Sequence, residues 1–360
     1  MGYAGSVVVG PFPLLLVLLG VANADEPARP FSVVPYGWVQ PGFAWRQDDA
    51  ALLTDTDGFS AAARFGIEAT AEPIQLRARV EVDLQPEPVL EDAFVNWSPH
   101  PVFSLNAGQM KVPFSISHLA SDTRRQLPVD NAVTRVSGID RDLGVSAEFR
   151  LPIAQKPRAA VSSAVMNGEG KNRLENVNDS FMFAQRLVVY PLGPRERPAE
   201  GRSAAPYLGL GGGWVYNFTG ADDSATEFNT FAAELQFAAG VFSIQAEFAD
   251  VEVVHASPDV VDYHSTGTYG QLGLFIPAPW VSQHVELVGR AGWAEPNDAL
   301  ASNIDEVATI DIDVGINLYI PETPPYMQDV KLQVAYRHSI QDEGGQVDDD
   351  RLDVVATVRF

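Results

Sequence analysis

The chain has 360 residues, 47 acidic and 24 basic side chains, a formal net charge of −23 and no cysteine. The acidic balance argues against a protein that binds nucleic acid or an anionic surface. The missing cysteines exclude stabilisation by disulfides, and the length is sufficient for a large core or a sizeable barrel.

The first segment, residues 1–24, is predicted to be a signal peptide. It contains no Asp, Glu, Lys or Arg, holds an apolar run at 13–19, and ends in the small-x-small pattern Ala22-Asn23-Ala24 that a signal peptidase needs. A membrane anchor is the alternative, but the run is shorter than the roughly 20 residues of a spanning helix. The remaining domain, residues 25–360, would keep the whole charge and contains no apolar run of that length. If it sits in a membrane, it must cross as strands.

The dominant pattern of residues 25–360 is an alternation of apolar and polar side chains with a period of two. In 73–84, apolar residues from Ile74 to Leu84 alternate with Gln75, two arginines, Glu81 and Asp83. A strand separates two such sets onto opposite faces, whereas a helix mixes them. Sixteen such segments are predicted, starting near residues 33, 58, 73, 90, 102, 141, 158, 180, 205, 228, 241, 266, 283, 308, 328 and 350.

The connections between these segments alternate in length. Those that follow odd-numbered segments are mostly long and those that follow even-numbered segments are mostly short and proline-rich, with 191–204 and 85–89 as the two exceptions. Long external loops and tight periplasmic turns, with an even strand number, are typical of a transmembrane barrel of the bacterial outer membrane. The long connections are 47–57, 112–140, 167–179, 219–227, 250–265, 295–307 and 341–349.

A soluble β-sandwich is the alternative explanation of the alternation, since one face of each of its sheets is also apolar. It rarely needs sixteen strands in one series, however, and the tryptophans lie near predicted strand ends, where barrels carry aromatic girdles. These tryptophans are Trp45, Trp97, Trp280 and Trp293. We therefore predict an all-β fold, a 16-stranded antiparallel transmembrane barrel.

Three runs stand out within residues 92–150: 92–97 (DAFVNW), 105–114 (LNAGQMKVPF) and, after a long connection, 141–145 (RDLGV). With these runs the chain resembles the phosphate-selective porin O/P family. The resemblance implies a sixteen-stranded porin barrel, commonly a trimer, whose third external loop folds inward and narrows the pore. Residues 112–140 form the third external connection in the strand count above, after 47–57 and the short 85–89, so the two interpretations agree.

This third connection and its flanks carry the candidate binding residues. Fixed cations in a narrow pore lower the cost of removing water from an anion, and arginine offers paired donors for phosphate oxygens. The alternative is that these cations neutralise the neighbouring acids. The predicted constriction and anion-binding residues are Lys111, Arg124, Arg125, Arg135 and Arg141.

Further charged side chains fall on the polar face of the predicted strands. Because a charged side chain in the lipid-facing midplane costs about 2–4 kcal/mol, we expect them to line the lumen, where a ladder of solvated charge pairs is the simplest interpretation. The named lumen charges are Arg77, Arg79, Glu81, Arg150, Arg186 and Arg290.

No catalytic or metal-binding motif is found: the six histidines are scattered and GxSxG is missing. The glycine-rich run 209–213 lies within a strand pattern and lacks the lysine and helix of a phosphate loop. We expect no enzymatic activity, no cofactor and no nucleic-acid partner.

The expected function is passive diffusion of small hydrophilic solutes and ions, phosphate and other anions included; a plugged structural or adhesive barrel is the alternative. The expected partners are small solutes, outer-membrane lipid, lipopolysaccharide and two further copies of the chain. The acidic external loops could bridge divalent cations or serve as a plain hydrophilic mouth.

Overall fold

The computed structural model describes most of the chain after residue 29. The described residues are 30–47, 57–85, 87–153, 156–177, 180–193, 203–220, 225–278, 281, 284–299, 308–320, 329–341 and 348–360. The predicted signal peptide, residues 1–24, and parts of the predicted external segments, with Trp280, lie outside them.

The described residues form sixteen β-strands. Their bounds are β1 Phe31–Arg46, β2 Gly58–Ala71, β3 Leu76–Asp83, β4 Val89–His100, β5 Phe103–Lys111, β6 Arg141–Ile153, β7 Lys156–Met166, β8 Met182–Val189, β9 Ser203–Thr219, β10 Thr226–Gly240, β11 Phe242–His255, β12 Tyr263–Phe275, β13 Val285–Glu295, β14 Thr309–Ile320, β15 Asp329–Gln341 and β16 Asp348–Arg359. Two short helices, α1 Ile116–Leu119 and α2 Ala132–Ser137, and a 3-10 turn Asp122–Arg124 lie between β5 and β6.

Each strand pairs antiparallel with its neighbours in sequence, and β1 pairs with β16, so the sheet closes into a barrel. The closing pair joins Trp38 to Arg359 and Phe43 to Val354. Gly37 and Phe360 exchange two backbone hydrogen bonds of 3.0 Å at its end. The predicted sixteen-stranded antiparallel barrel is therefore confirmed, and closure leaves no unpaired sheet edge.

The alternation of the sequence becomes two faces of the wall. On β14, Asp311, Asp313 and Asn317 are buried, whereas Ile312 and Val314 between them are 47% and 53% exposed. The apolar set forms the outer face of the barrel and the polar set the lumen face. Closed barrels with an apolar outer belt span the bacterial outer membrane, which is the location predicted from the sequence.

The third strand begins later than the sequence pattern predicts. Residues Glu72–Ile74 form a 3-10 turn with Pro73 near its start, and Gln75 adopts a left-handed φ of 52°. Proline has no N–H to give to a sheet ladder, so the strand starts at Leu76. All sixteen predicted strand starts, this one included, lie within three residues of the observed ones.

The fourth strand contains an irregularity that the alternation does not reveal. Its register with β3 shifts between Glu81, which faces Asp92, and Val82, which faces Leu90. Glu91 is the extra residue of this β-bulge, so Glu91 and Asp92 are both buried on the lumen side. Two adjacent carboxylates therefore reach the interior from one strand.

No helix among the described residues is long and apolar enough to cross a membrane.

Candidate functional site

The segment 112–140, which joins β5 to β6, folds around its own short helices. Helix α2 begins after Asn131, whose side chain accepts a hydrogen bond from the Thr134 N–H, and ends at Gly138, which has a φ of 61°. Both are standard caps, since an Asn side chain satisfies a free N–H and glycine adopts the left-handed conformation without strain.

Helix α1 is held by carboxylates of the barrel wall. The Ile116 N–H donates to Glu234 of β10 at 2.8 Å, and the Ser117 N–H and hydroxyl donate to Glu247 of β11 at 3.1 and 2.9 Å. These N–H groups have no partner within the helix, so the wall carboxylates satisfy them and complement the positive helix end.

Farther along, the backbone carbonyls of the segment receive hydrogen bonds from wall arginines. Arg290 of β13 donates to the carbonyls of Val129 and Asp130 at 3.0 and 3.1 Å, and Arg337 of β15 donates to the Asp130 carbonyl at 2.5 Å. Asp313 lies between the two guanidinium groups at 2.7 Å from each Nε. The segment therefore contacts lumen-face side chains of β10, β11, β13 and β15.

Glycines of the wall allow the segment to lie directly on the sheet. A Cβ built on Gly213 of β9 would lie 2.1 Å from the Phe114 carbonyl oxygen, and one on Gly267 of β12 would lie 2.6 Å from that of Ala132. Contacts this short do not occur between real atoms, so only glycine permits this approach. An apolar core that includes Phe114 and Ala132 fills the space between segment and wall.

A buried histidine links the two ends of the segment. His118 Nδ1 lies 2.8 Å from Ser115 Oγ, and Nε2 lies 2.7 Å from Ser137 Oγ, whose hydroxyl donates to the Val133 carbonyl. Nε2 must therefore carry the proton that Ser137 accepts, which leaves Nδ1 as an acceptor for Ser115. Burial, which disfavours the charged imidazolium, lowers the pKa of His118 to about 4.

The opposite side of the segment borders a cavity of about 620 Å³. Strands β1 to β4 and β16 form its other wall, so the open space lies across the segment from the anchoring strands. Its charged lining consists of Arg64, Lys111, Arg125, Arg141 and Lys171 together with Asp83, Glu91, Asp122, Asp130 and Asp140. Five cations thus face five carboxylates.

Known structures share this architecture. The anion-selective porin from Comamonas acidovorans matches with a TM-score of 0.62 at 12% identity, over 92% of this chain and 100% of that one. OmpF of Salmonella typhi in complex with daunomycin matches with a TM-score of 0.63 at 11% identity, over 91% of this chain and 97% of that one. OmpT of Vibrio cholerae, in its trimer form, matches with a TM-score of 0.59 at 9% identity, over 92% and 100%.

The chain has the fold of the bacterial outer-membrane porins. At these identities the likeness shows the fold alone. No family model matches the sequence, and no curated protein matches it either. The narrower resemblance to the phosphate-selective O/P porins therefore stays a prediction.

In this porin fold, all five predicted constriction cations interact with groups of the protein. Lys111 donates to the carbonyls of His118 and Ala120 at 2.8 and 2.7 Å. Arg135 forms an ion pair with Asp311 of β14 and does not line the cavity. Half-buried Arg124 lies on the 3-10 turn and also has interactions within the protein.

Arg125 and Arg141 border the cavity, as Lys111 does. Arg125 lies 3.1 Å from Asp122 and 2.6 Å from Asp130, within its own segment. Burial by itself would raise the pKa of Asp122, but the charges of Arg125 and Arg64 outweigh it and hold that pKa below its usual value. Arg141 lies 2.7 Å from Glu91 and is almost fully buried.

The six predicted lumen charges lie at positions of the lumen face, and each arginine among them has a carboxylate near it. The pairs are Arg77 with Glu68 at 3.8 Å, Arg79 with Glu81 at 2.6 Å, Arg150 with Glu148 at 2.5 Å, Arg186 with Glu234, and Arg290 with Asp313 at 2.7 Å. The action of these lumen charges on a passing solute stays a prediction.

Three features of the cavity were not predicted from the sequence. They are the lining residues Glu91 and Lys171 and the cation–π contact of Arg64 with Trp38, in which the guanidinium carbon lies 5.3 Å from the ring centroid. The adjacent acids Glu91 and Asp92 break strict alternation, and that break was the available signal of a bulge. Lys171 lies in a connection without periodicity, so its position could not be read from the sequence. Among the described residues, no group of three or more side chains is arranged to hold a metal ion.

Proposed function

We propose that the protein is a passive diffusion channel of the bacterial outer membrane, with segment 112–140 folded into the lumen as its constriction. The observation that carries the proposal is the cavity of about 620 Å³ that remains beside this segment within a closed barrel. A wall of sixteen strands encloses a lumen wider than its side chains can fill, so an anchored connection is the means of narrowing it.

The proposed solutes are small and hydrophilic, with ions of both signs among them. Phosphate and other anions belong to this range without a strong preference, because the five cations of the cavity face five carboxylates and the neutral His118 adds no charge. A charge-balanced constriction lowers the barrier for polar molecules by hydrogen bonding more than it selects a sign.

Further elements of the proposal follow from the outer surface and the fold. The apolar belt supports contact with outer-membrane lipid, and the acidic external connections would meet lipopolysaccharide. The trimer form of the Vibrio cholerae OmpT structure supports a homotrimer. No enzymatic activity is assigned.

Single-channel recording in a planar bilayer tests the channel directly. Discrete conductance steps are expected from the refolded, purified protein. A liposome swelling assay with sugars of increasing size should show uptake that ends at a defined size. A folded barrel that conducts no ions and passes no sugar would instead be the plugged, structural barrel.

A further inference from the structure

A second external connection reaches the cavity. Residues 167–177, between β7 and β8, fold back toward β5, where the Asn172 N–H donates to Gln109 Oε1 at 2.8 Å. The Gln109 amide donates to Asn172 Oδ1 at 3.2 Å and to the Leu90 carbonyl at 2.8 Å. Asn172 has a left-handed φ of 64°, and the Gly168 N–H donates to Asp142 at 2.6 Å. Side-chain to backbone bonds at two points therefore fix this connection against the barrel rim.

Fixing the connection places Lys171 in the cavity lining. Its Nζ lies 2.8 Å from Glu91 Oε1 and 3.8 Å from Asp140 Oδ2. The Lys171 side chain is 30% exposed, compared with 25% for Arg125, 14% for Arg64 and 5% for Arg141. Solvent therefore meets the charge of Lys171 more readily than the charges of Arg64 and Arg141, and about as readily as that of Arg125.

The carboxylates next to Lys171 make its charge important for the net charge of the cavity lining. Glu91 is 2% exposed and also contacts Arg141 at 2.7 Å, so it keeps one cationic partner when Lys171 is removed. Asp140, which is 51% exposed, also pairs with Arg141. A cavity lined by equal numbers of cations and carboxylates gains a net negative charge when one cation is lost, and an exposed cation such as Lys171 affects passing ions more than a buried one such as Arg141.

We propose that Lys171 is a selectivity residue of the channel, which balances Glu91 and Asp140 and thereby holds the preference between small anions and cations near neutrality. This inference rests on the proposed channel function. It also makes residues 167–177 a second part of the constriction, next to segment 112–140.

The test is the reversal potential of the channel in a tenfold KCl gradient. Lys171→Gln should raise the permeability ratio of K⁺ to Cl⁻ roughly two- to five-fold, the effect of one charge a few ångströms from the ion path in a partly screened pore, and Lys171→Glu should raise it further. Lys171→Arg should leave the ratio unchanged. Arg173→Gln is the matched control, because it removes the same charge from an exposed position of the same connection that does not line the cavity.

Gln109→Leu separates charge from structure, because it breaks the bonds to Asn172 but keeps the lysine. If Lys171 acts through its charge, Lys171→Gln shifts the ratio toward K⁺ more than Gln109→Leu, which keeps that charge. An unchanged ratio in Lys171→Gln, or an equal shift in Arg173→Gln, overturns the proposal. A wild-type protein that never conducts refutes the channel function instead, so the two failures are distinguishable.

Discussion

Single glycines on the lumen face determine how closely segment 112–140 lies against the wall. On β12, Gly267 faces the segment, and its missing side chain leaves room for the Ala132 carbonyl; Gly270 faces outward with nothing within 4 Å of a Cβ built there. The two positions lie on one strand and differ in the face that they present. They therefore form a natural pair of test sites.

Gly267→Ala should push the segment off the wall. Overpacking a filled interface costs about 1–3 kcal/mol, which is enough to loosen a connection without unfolding the barrel. We expect a larger or noisier single-channel conductance and faster proteolysis within 112–140. Gly270→Ala should match the wild-type protein in both measurements. Equal behaviour of the two variants would show that the segment does not pack where we place it.

His118 makes the docking of the segment sensitive to acid. Its pKa of about 4 lies below the value of about 6.5 for an exposed imidazole, so the undocked segment binds the extra proton first. Docking is therefore fully stabilised above pH 6.5 and loses about 3 kcal/mol in total as the pH falls to about 4. Glu247, Lys111, Arg125 and Asp130 also act on this imidazole.

Conductance recorded between pH 7 and pH 4 measures this loss. The wild-type channel should change from one conductance level to a more open or fluctuating state as the pH falls. His118→Gln keeps a neutral hydrogen-bonding side chain and should show a flatter profile in the same range. Identical profiles would assign the pH dependence to the carboxylates instead.

At the scale of elements, the anchoring of helix α1 depends on carboxylates from separate strands. Glu247 receives the Ser117 N–H and hydroxyl and also the Tyr269 hydroxyl, so one side chain links β11, β12 and the segment. Charge-assisted hydrogen bonds of this kind contribute more than neutral ones.

Glu247→Gln should weaken the docking of the segment by about 1–3 kcal/mol, because a neutral amide replaces a carboxylate that accepts from four donors, the Gln245 amide included. The expected result is greater hydrogen exchange across 112–119 and a higher conductance. Glu148→Gln on β6 is the control, since this lumen-face carboxylate bonds to Arg150 and Ser162 rather than to the segment. A change of the same size in the control would point to a general effect of lumen charge.

The strands could be predicted from the sequence because apolar side chains face the lipid and polar side chains face the lumen. This arrangement produces an alternation with a period of two along each strand. On β14 the alternation of Ile310 to Ile320 reproduces the observed burial residue by residue. The bulge at Glu91 could not be placed in this way, since an inserted residue reverses the faces locally. The lumen-facing positions of Met166 and Met182, which pack against the segment, could not be predicted either, because the alternation assigns apolar side chains to the lipid face.

The sequence singled out segment 112–140, but it did not reveal which groups the cations of this segment bond to. Lysine and arginine residues near 112–140 suggested an anion site, whereas Arg135 bonds to Asp311, a residue 176 positions away. Such pairings follow from the closure of the barrel and from the path of the segment. A single sequence gives neither, so the balance of charge in the cavity required the structure.

At the scale of the whole molecule, the balanced charge of the cavity lining contrasts with the strongly negative net charge of the chain. The cavity lining is balanced, yet the chain carries a formal charge of −23. At 1 M salt the Debye length is about 3 Å, so an ion in the constriction responds to its immediate lining. At 0.01 M it is about 30 Å, so the ion also responds to acids on the external connections.

The ion preference of the channel should therefore depend on salt. In a KCl gradient centred near 1 M the reversal potential should lie close to zero, and near 0.01 M it should show a clear preference for K⁺, because the acidic mouth concentrates cations and repels Cl⁻ when screening is weak. Lys171→Gln should be displaced toward K⁺ at both salt concentrations, since its effect arises inside the cavity. A preference that stays the same over this hundredfold range would mean that the distant acids do not act on the ion path, and that the lining alone sets the field.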